Sequence, residues 1–327
     1  MSEAQVLGAG VRAAVADGGT LLMAMPGDGA GTGLVLVARD PGGAERWRRA
    51  IEAPARGDAP PLLAVEGGDA LVWGEGRHTT WLDRTGEVVA SFPVGDRAAL
   101  LGRGAVWRIV ASEGSDVLER HRITERGVAQ DVMPLTLGRP AGQVALARAA
   151  ADGTWAYATA RSPGLLGGKG AMLLAHAEWP LPPALTVGAR NLPLRMVVVD
   201  ETVFTSEPRG LTRDGRRYQR GRWFLFPGPA GLAAVGPQGP ATIEAEGAPV
   251  PLEVEAAEAM ADADSVRHSG GLVWWEGCAW DAAGDPVCGL VPAEGERPLW
   301  CDGHSVVLWR ADDTVVRRPL APDERVG

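Results

Sequence analysis

The stretch from residue 62 to 94 constrains the fold most, because it packs several short apolar runs between breaks rich in Gly and Asp. The runs cover residues 62–65, 70–73, 78–82 and 88–94. Strands that short and joined that tightly can pair only antiparallel. We therefore predict one four-stranded antiparallel sheet here, and we interpret the rest of the chain as approximate copies of it.

A turn marker recurs between the third and fourth strands of these copies. Its clearest forms are Asp40-Pro41-Gly42-Gly43 and Asp83-Arg84-Thr85-Gly86. Aspartate at the first turn position accepts hydrogen bonds from N–H groups ahead of it, and glycine at the fourth tolerates a positive φ. Looser forms begin at Thr124, Thr212, Glu244 and Asp281. The spacing is about 40 residues per copy, which is typical of propeller blades.

Eight copies can be traced along the chain. They span residues 11–53, 62–94, 98–137, 144–187, 194–222, 223–255, 265–292 and 297–320. The last copy has three strands, and residues 4–7 can supply its missing outer strand, which would remove an exposed sheet edge. We predict an all-β chain that forms a single β-propeller domain over residues 1–327. Its four-stranded antiparallel blades would number eight, or alternatively seven, with the ring closed by the N-terminal strand.

Composition agrees with this class and limits the possible partners. The chain has 45 Gly and 25 Pro, abundant for a helical protein but natural for many short strands. A net charge of -9 argues against broad attraction to nucleic acid or to an anionic membrane. The first residues lack the basic-then-apolar order of a secretory signal and no apolar run has the length of a membrane span, so we expect neither. With three widely spaced cysteines, it reads as a cytoplasmic protein with free thiols.

Three segments resemble the blade signature of PQQ-like, quinoprotein-type β-propellers. They are residues 40–47 (DPGGAERW), 82–89 (LDRTGEVV) and 280–287 (WDAAGDPV). The resemblance implies the propeller architecture and the scaffold role common in that family. Its dehydrogenases often hold a quinone beside adjacent cysteines and a calcium ion. No two cysteines are adjacent here, so we expect no cofactor.

A zinc site is a second possibility, since Cys301-Asp302-Gly303-His304 has ligand-like spacing. The other candidate ligands are Cys278, Cys288 and His268. Our strand placement puts the three cysteines on different strands, too far apart to share a coordination shell. We therefore expect buried apolar thiols and no metal.

The densest charge feature is a group of six arginines within a short stretch of an acidic chain. It consists of Arg209, Arg213, Arg216, Arg217, Arg220 and Arg222. Strand alternation would place Arg216, Arg220 and Arg222 on one face. Such a face could dock carboxylate or phosphate groups of a partner, which guanidinium binds bidentately. The alternative is a solvated outer strand whose charges oppose edge pairing.

Function is less constrained than fold, because no catalytic motif appears. The first hypothesis is a non-enzymatic scaffold that holds another protein in an assembly, through an acidic or phosphate-bearing surface of that partner. The alternative is a small-molecule enzyme or ligand sensor with its site at the axial mouth of the propeller. The polar loop residues expected there are Arg77, His78, Arg161, Lys169 and Arg190.

Overall fold

Strands make up nearly all the regular structure of the computed structural model, with one short 3-10 helix at Pro322–Glu324. The structure describes residues 4–17, 19–27, 33–51, 60–73, 78–93, 96–102, 104–113, 115–135, 142–150, 153–161, 170–177, 185–189, 195–207, 210–221, 223–228, 231–236, 239–243, 250–251, 267–275, 277–281 and 285–326.

The strands follow one another through the whole described chain. They are β1 (Gln5–Gly8), β2 (Ala13–Asp17), β3 (Thr20–Pro26), β4 (Leu34–Arg39), β5 (Glu45–Ile51), β6 (Leu62–Glu66), β7 (Asp69–Trp73), β8 (Thr79–Leu82), β9 (Val88–Phe92), β10 (Asp96–Gly102), β11 (Ala105–Ser112), β12 (Ser115–Thr124), β13 (Gly127–Pro134), β14 (Gln143–Arg148), β15 (Trp155–Arg161), β16 (Gly170–His176), β17 (Leu185–Ala189), β18 (Arg195–Val199), β19 (Thr202–Glu207), β20 (Gly210–Arg213), β21 (Arg216–Arg220), β22 (Phe224–Gly228), β23 (Gly231–Gly236), β24 (Gly239–Ile243), β25 (Val250–Pro251), β26 (Arg267–Ser269), β27 (Leu272–Trp275), β28 (Cys278–Trp280), β29 (Pro286–Gly289), β30 (Arg297–Cys301), β31 (Ser305–Trp309) and β32 (Val315–Pro319).

These strands form eight four-stranded sheets, in which neighbouring strands pair antiparallel. Seven sheets use four consecutive strands, from β2–β5 through to β26–β29, and the eighth has the order β1-β32-β31-β30. An all-β propeller with four-stranded antiparallel blades is thereby confirmed. Contacts divide the chain into two compact units, residues 1–95, 267–281 and 285–327, and residues 96–266 and 282–284.

The N-terminal strand completes the last sheet, as predicted from the missing outer strand. In the first unit, β1 pairs antiparallel with β32, with Gln5 opposite Arg317 and Val6 opposite Val316. The observed strand begins one residue later than the predicted segment. Pairing satisfies the backbone groups that the outer edge of β32 would otherwise leave open.

Apolar side chains join successive sheets face to face within each unit. In the second unit, Trp107, Ile109 and Leu118 from the sheet β10–β13 pack with Ala158 and Leu173 from the sheet β14–β17. Trp107 is fully buried. The alternation of apolar residues along each strand thus supplies a buried layer between blades.

The turn markers work as their chemistry predicts. The Asp83 carboxylate accepts hydrogen bonds from the N–H groups of Thr85 (2.8 Å) and Glu87 (3.0 Å). These bonds hold the pKa of Asp83 below its usual value, and the Thr85 hydroxyl makes the largest contribution. Asp40 similarly accepts from the N–H of Ala44 at 2.9 Å.

The fifth marker, predicted at residues 212–215, is placed wrongly. Thr212 lies within β20, and the turn consists of Asp214 and Gly215, with φ of 46° and 74°. Two consecutive residues with positive φ define the tight hairpin turn for which Asp-Gly is a preferred sequence. The local Asp-Gly preference therefore overrides the four-residue marker. The sixth marker lies outside the described residues.

Candidate protein-binding surface

The arginine cluster lies on the hairpin of β20 and β21, at the outer edge of the sheet β18–β21. Arg216, Arg217 and Arg220 are exposed on β21, and Arg213 is half-buried at the end of β20. Arg209 and Arg222 lie outside the described residues. We call Arg213, Arg216, Arg217 and Arg220 the arginine hairpin.

A β-bulge changes which arginines share a face. Arg217 lies opposite Thr212 and Arg220 opposite Gly210, while the register shifts around Tyr218. Because residues directly opposite each other project from the same face, Arg217 and Arg220 share one face. The prediction that Arg216 and Arg220 lie together, from strict alternation, is wrong for this reason.

Arg216 instead lies directly opposite Arg213, on the other face of the hairpin. Two like charges in directly opposed positions of an antiparallel pair are destabilising. The nearby acid, Asp214, uses its carboxylate to accept a hydrogen bond from the N–H of Val203 at 2.9 Å. In the part of the chain that the structure describes, no carboxylate forms an ion pair with these two arginines or with Arg217 and Arg220.

Packing beneath the arginine hairpin holds its backbone in place. The Tyr218 ring meets Phe204 edge to face, with centroids 5.8 Å apart. The Trp223 indole N–H donates to the carbonyl of Arg220 at 3.0 Å, and the hydroxyls of Thr205 and Thr212 hydrogen-bond to each other. The exposed guanidinium groups thus extend from a fixed strand.

The residues predicted at an axial mouth are only partly covered by the structure. His78 is exposed just before β8, and its Nδ1 lies 3.1 Å from the carbonyl oxygen of Phe92. Arg161 is exposed at the end of β15. Arg77, Lys169 and Arg190 lie outside the described residues. The mouth hypothesis stays a prediction.

A buried ionic network in the sheet β10–β13 escaped the sequence analysis. The Arg108 guanidinium donates to Asp96 (Nε to Oδ1, 2.7 Å) and to Glu119 (3.0 Å), and it lies 3.3 Å from Nε2 of His121. Arg108 is 4% exposed and His121 6%. Burial, more than any other factor, lowers the pKa of His121, and the Arg108 charge lowers it further. Nε2 of His121 also lies 3.0 Å from Oε2 of Glu119, and because a carboxylate only accepts, the imidazole donates its Nε2–H to Glu119.

Arg120 forms a second buried contact on the opposite face of the same sheet. Its guanidinium donates to Asp131 and to the carbonyl of Ala177, and it lies 5.8 Å from the ring centroid of Trp107. Ala177 follows β16, so this residue joins two neighbouring sheets of the second unit. Both networks satisfy buried charges locally, and we assign them to the framework of the blade.

The three cysteines do not lie as the sequence analysis expected. Cys288 and Cys301 are buried in one apolar cluster and influence each other's pKa, so the expectation that the three cysteines stay apart is wrong for this pair. Neighbouring sheets bring β29 and β30 together, which strand counting could not show. The interaction with Cys301, together with burial, raises the pKa of Cys288. Among the described residues, no group of three or more His, Cys, Asp or Glu side chains could hold a metal ion.

Cys278 should react slowly with thiol reagents, because burial raises the pKa of its thiol to about 11. At pH 8 it would carry about a hundredfold less thiolate than an ordinary exposed cysteine. We expect its alkylation rate to rise about tenfold per pH unit from pH 7 to 10, measured by mass spectrometry after a short iodoacetamide pulse. The variant Val291→Cys, at a position that is 81% exposed, supplies the control. A rate for Cys278 that levels off below pH 9 would contradict this assignment.

No helix among the described residues has the length and apolar character needed to cross a membrane.

Comparison with known proteins yields similarity of fold. No protein-family model and no curated protein matches the chain. It is similar to the solved structure of a eukaryotic initiation factor, with a TM-score of 0.49 and 11% identity, covering 96% of this chain and 88% of that one. It is also similar to the solved structure of Kluyveromyces lactis Hsv2, with a TM-score of 0.46 and 10% identity, covering 96% of this chain and 98% of that one. A third similar structure is the C-terminal WD40 domain of Sif2, with a TM-score of 0.41 and 10% identity, covering 98% of this chain and 85% of that one.

At these identities and TM-scores, what those proteins do is not carried over to this chain. The class of protein therefore follows from its own sheets, a β-propeller of four-stranded antiparallel blades. The similarity to PQQ-like propellers stays a resemblance of three blade segments.

Proposed function

We propose that residues 1–327 form one propeller domain of eight blades that serves as a non-enzymatic scaffold. Its arginine hairpin would dock an acidic or phosphate-bearing segment of a partner protein. The observation that carries the proposal is a set of exposed arginines without a carboxylate partner among the described residues, in a chain whose net charge is -9.

The spacing of the two arginines that share a face suits an anion. Arg217 and Arg220 lie opposite Thr212 and Gly210, which are two residues apart on β20. Two residues along a strand correspond to ~7 Å, a separation that two long guanidinium side chains can span to reach one phosphate or two neighbouring carboxylates. Glycine at position 210 adds no side chain beside Arg220.

The opposite face offers a second contact. Arg213 and Arg216 repel each other across the hairpin, so an anion bound between them would remove an unfavourable interaction as well as add a favourable one. Arginine also binds phosphate and carboxylate bidentately, which lysine does not. The hairpin therefore favours acidic groups over a generic polar surface.

Two fluorescent peptides of equal length test the proposal, one with a run of glutamates and one with phosphoserines. We expect both to bind at low salt, and the double variant R216E/R217E to bind about tenfold more weakly or worse, measured by fluorescence anisotropy. The peptide with the larger loss identifies the preferred anion. The control R84E/R126E changes the net charge equally at two exposed turn arginines. The proposal fails if neither peptide binds, or if both double variants bind alike.

A further inference from the structure

The outer strand β13 combines a length of eight residues with the absence of Lys and Arg, which no other outer strand of the described sheets does. β5 and β21 each carry three arginines, which oppose pairing with another strand, whereas β13 (GVAQDVMP) has no Lys or Arg. Among the described residues, no strand pairs with its outer edge. With eight residues it is also a long edge.

β13 presents apolar side chains to solvent. Val128 is 41% exposed and Val132 53%, and Ile123, opposite Val128 on β12, is 55% exposed. Because their positions alternate, Val128, Gln130 and Val132 project from one face of the sheet. A long, exposed apolar edge without Lys or Arg is the kind of strand that pairs with another chain.

The backbone groups of the same residues point outward. The tight turn at residues 125–126 is closed by the pair Thr124 and Gly127, and β12 and β13 continue from it without a bulge. In an antiparallel ladder, hydrogen-bonded and non-hydrogen-bonded pairs alternate. The N–H and C=O groups of Val128, Gln130 and Val132 are therefore directed away from β12, and β13 can accept a further strand.

We infer that β13 pairs antiparallel with β13 of a second copy of this chain, with Gln130 opposite Gln130 on the two-fold axis. This register places Val128 of each copy opposite Val132 of the other, so the exposed valines become cross-strand contacts. Asp131 falls opposite Ala129, so no carboxylate faces a carboxylate. Asp131 is also already paired with Arg120.

Pro134 defines where the pairing ends. It lies at an outward-directed position but has no N–H to donate. With Gln130 at the centre, Pro134 of one copy lies opposite Arg126 of the other, which precedes β13 of that copy. Each outward N–H of β13 then faces a backbone carbonyl of the second copy. If the centre of the pairing moved toward the C-terminal end of β13, Pro134 would enter the ladder and N–H donors would be lost. If the centre moved toward the turn at residues 125–126, Val128 would no longer lie opposite Val132. The register is therefore specified by the sequence of β13 itself.

This interface is distinct from the arginine hairpin and should respond oppositely to salt. Two copies of an acidic chain repel each other, so added salt should strengthen the dimer, whereas it weakens binding of an acidic peptide. Failure of one site therefore leaves the other testable.

Sedimentation velocity across two decades of protein concentration tests the inference. We expect a monomer–dimer equilibrium in the wild-type chain, and its loss in Gln130→Pro, which removes the central outward N–H without removing a bond to β12. Gln130→Thr, which keeps that N–H, should retain the dimer. Circular dichroism checks that the variants fold.

A charge pair tests the register. Val128→Lys and Val132→Glu should each weaken the dimer about tenfold, and the double variant should recover it, because the introduced ammonium of one copy would then face the introduced carboxylate of the other. A wild-type chain that is monomeric at all concentrations overturns the inference. So does a dimer that Gln130→Pro leaves intact, or a double variant no better than the singles.

Discussion

Replacing Arg108 with alanine should lower the free energy of unfolding by about 3–5 kcal/mol, the range seen when one partner of a buried ion pair is removed. Arg108 is 4% exposed, and it holds Asp96, whose side chain is 1% exposed. Without the guanidinium, the carboxylates of Asp96 and Glu119 would stay buried without their cation. Urea unfolding followed by both tryptophan fluorescence and circular dichroism measures the loss.

Two further variants separate charge from packing. Arg108→Met keeps most of the side-chain volume but removes the charge. If it lowers the free energy of unfolding as much as Arg108→Ala does, the unpaired carboxylates cause the loss. If its urea midpoint returns to the wild-type value, the cavity left by alanine causes it. Arg48→Ala breaks an exposed pair with Glu45, 2.9 Å apart, and should cost under about 1 kcal/mol. If Arg108→Ala and Arg48→Ala unfold at the same urea concentration, the buried network does not stabilise the blade.

Gly270→Ala should destabilise the first unit by about 2–5 kcal/mol, because two costs add at one position. Gly270 has a φ of 64° in the turn between β26 and β27. An added Cβ would also lie 2.5 Å from the carbonyl oxygen of Leu299 and 3.0 Å from Cα of Trp300. The contacting atoms are backbone of β30, which cannot move away without disturbing the neighbouring sheet.

The next residue in the same turn is the matched control. Gly271 has a φ of 77°, but nothing lies within 4 Å of a Cβ built there. Gly271→Ala should therefore cost only the backbone strain, about 1–2 kcal/mol. Thermal unfolding of both variants measures the difference. Equal costs at the two positions would show that the contact with β30 relaxes without penalty.

Gly270 also shows how three sheets of the first unit meet at one turn. Its N–H donates to the carbonyl of Ala16 on β2 at 3.1 Å, and Ser269 Oγ donates to the carbonyl of Leu299 at 2.8 Å. The turn itself is readable from Gly270-Gly271 directly ahead of the apolar run Leu272–Trp275. Its contacts with β2 and β30 are not, since those strands are distant in sequence.

The sequence predicted the strands well where the relevant forces are local. Asp83 makes its turn with residues that follow it directly, so the marker could be read from a few positions. The predicted strands 62–65 and 70–73 agree to within one residue with β6 and β7. Even the pairing of β1 with β32 could be predicted, because an incomplete sheet leaves an edge that must be covered.

The candidate site was predicted in its composition but not in its arrangement. The arginines stood out in the sequence, yet the bulge at Tyr218 redistributed them between two faces. A bulge is one extra residue in one strand, and nothing in strict alternation indicates where it falls. Arg108 gave one usable signal, a lone charge between Trp107 and Ile109 in an apolar strand. Its acidic partners lie on other strands, so that signal could not name them.

The amino-acid sequence by itself determined the repeating strand, the turn chemistry and the completed last sheet, since hydrophobic alternation and turn preferences act over a few residues. Only the tertiary structure decided which arginines share a face, which charges are buried together and which thiols meet. Those outcomes depend on strand register and on contacts between sheets, where a displacement of one residue moves a side chain to the opposite face.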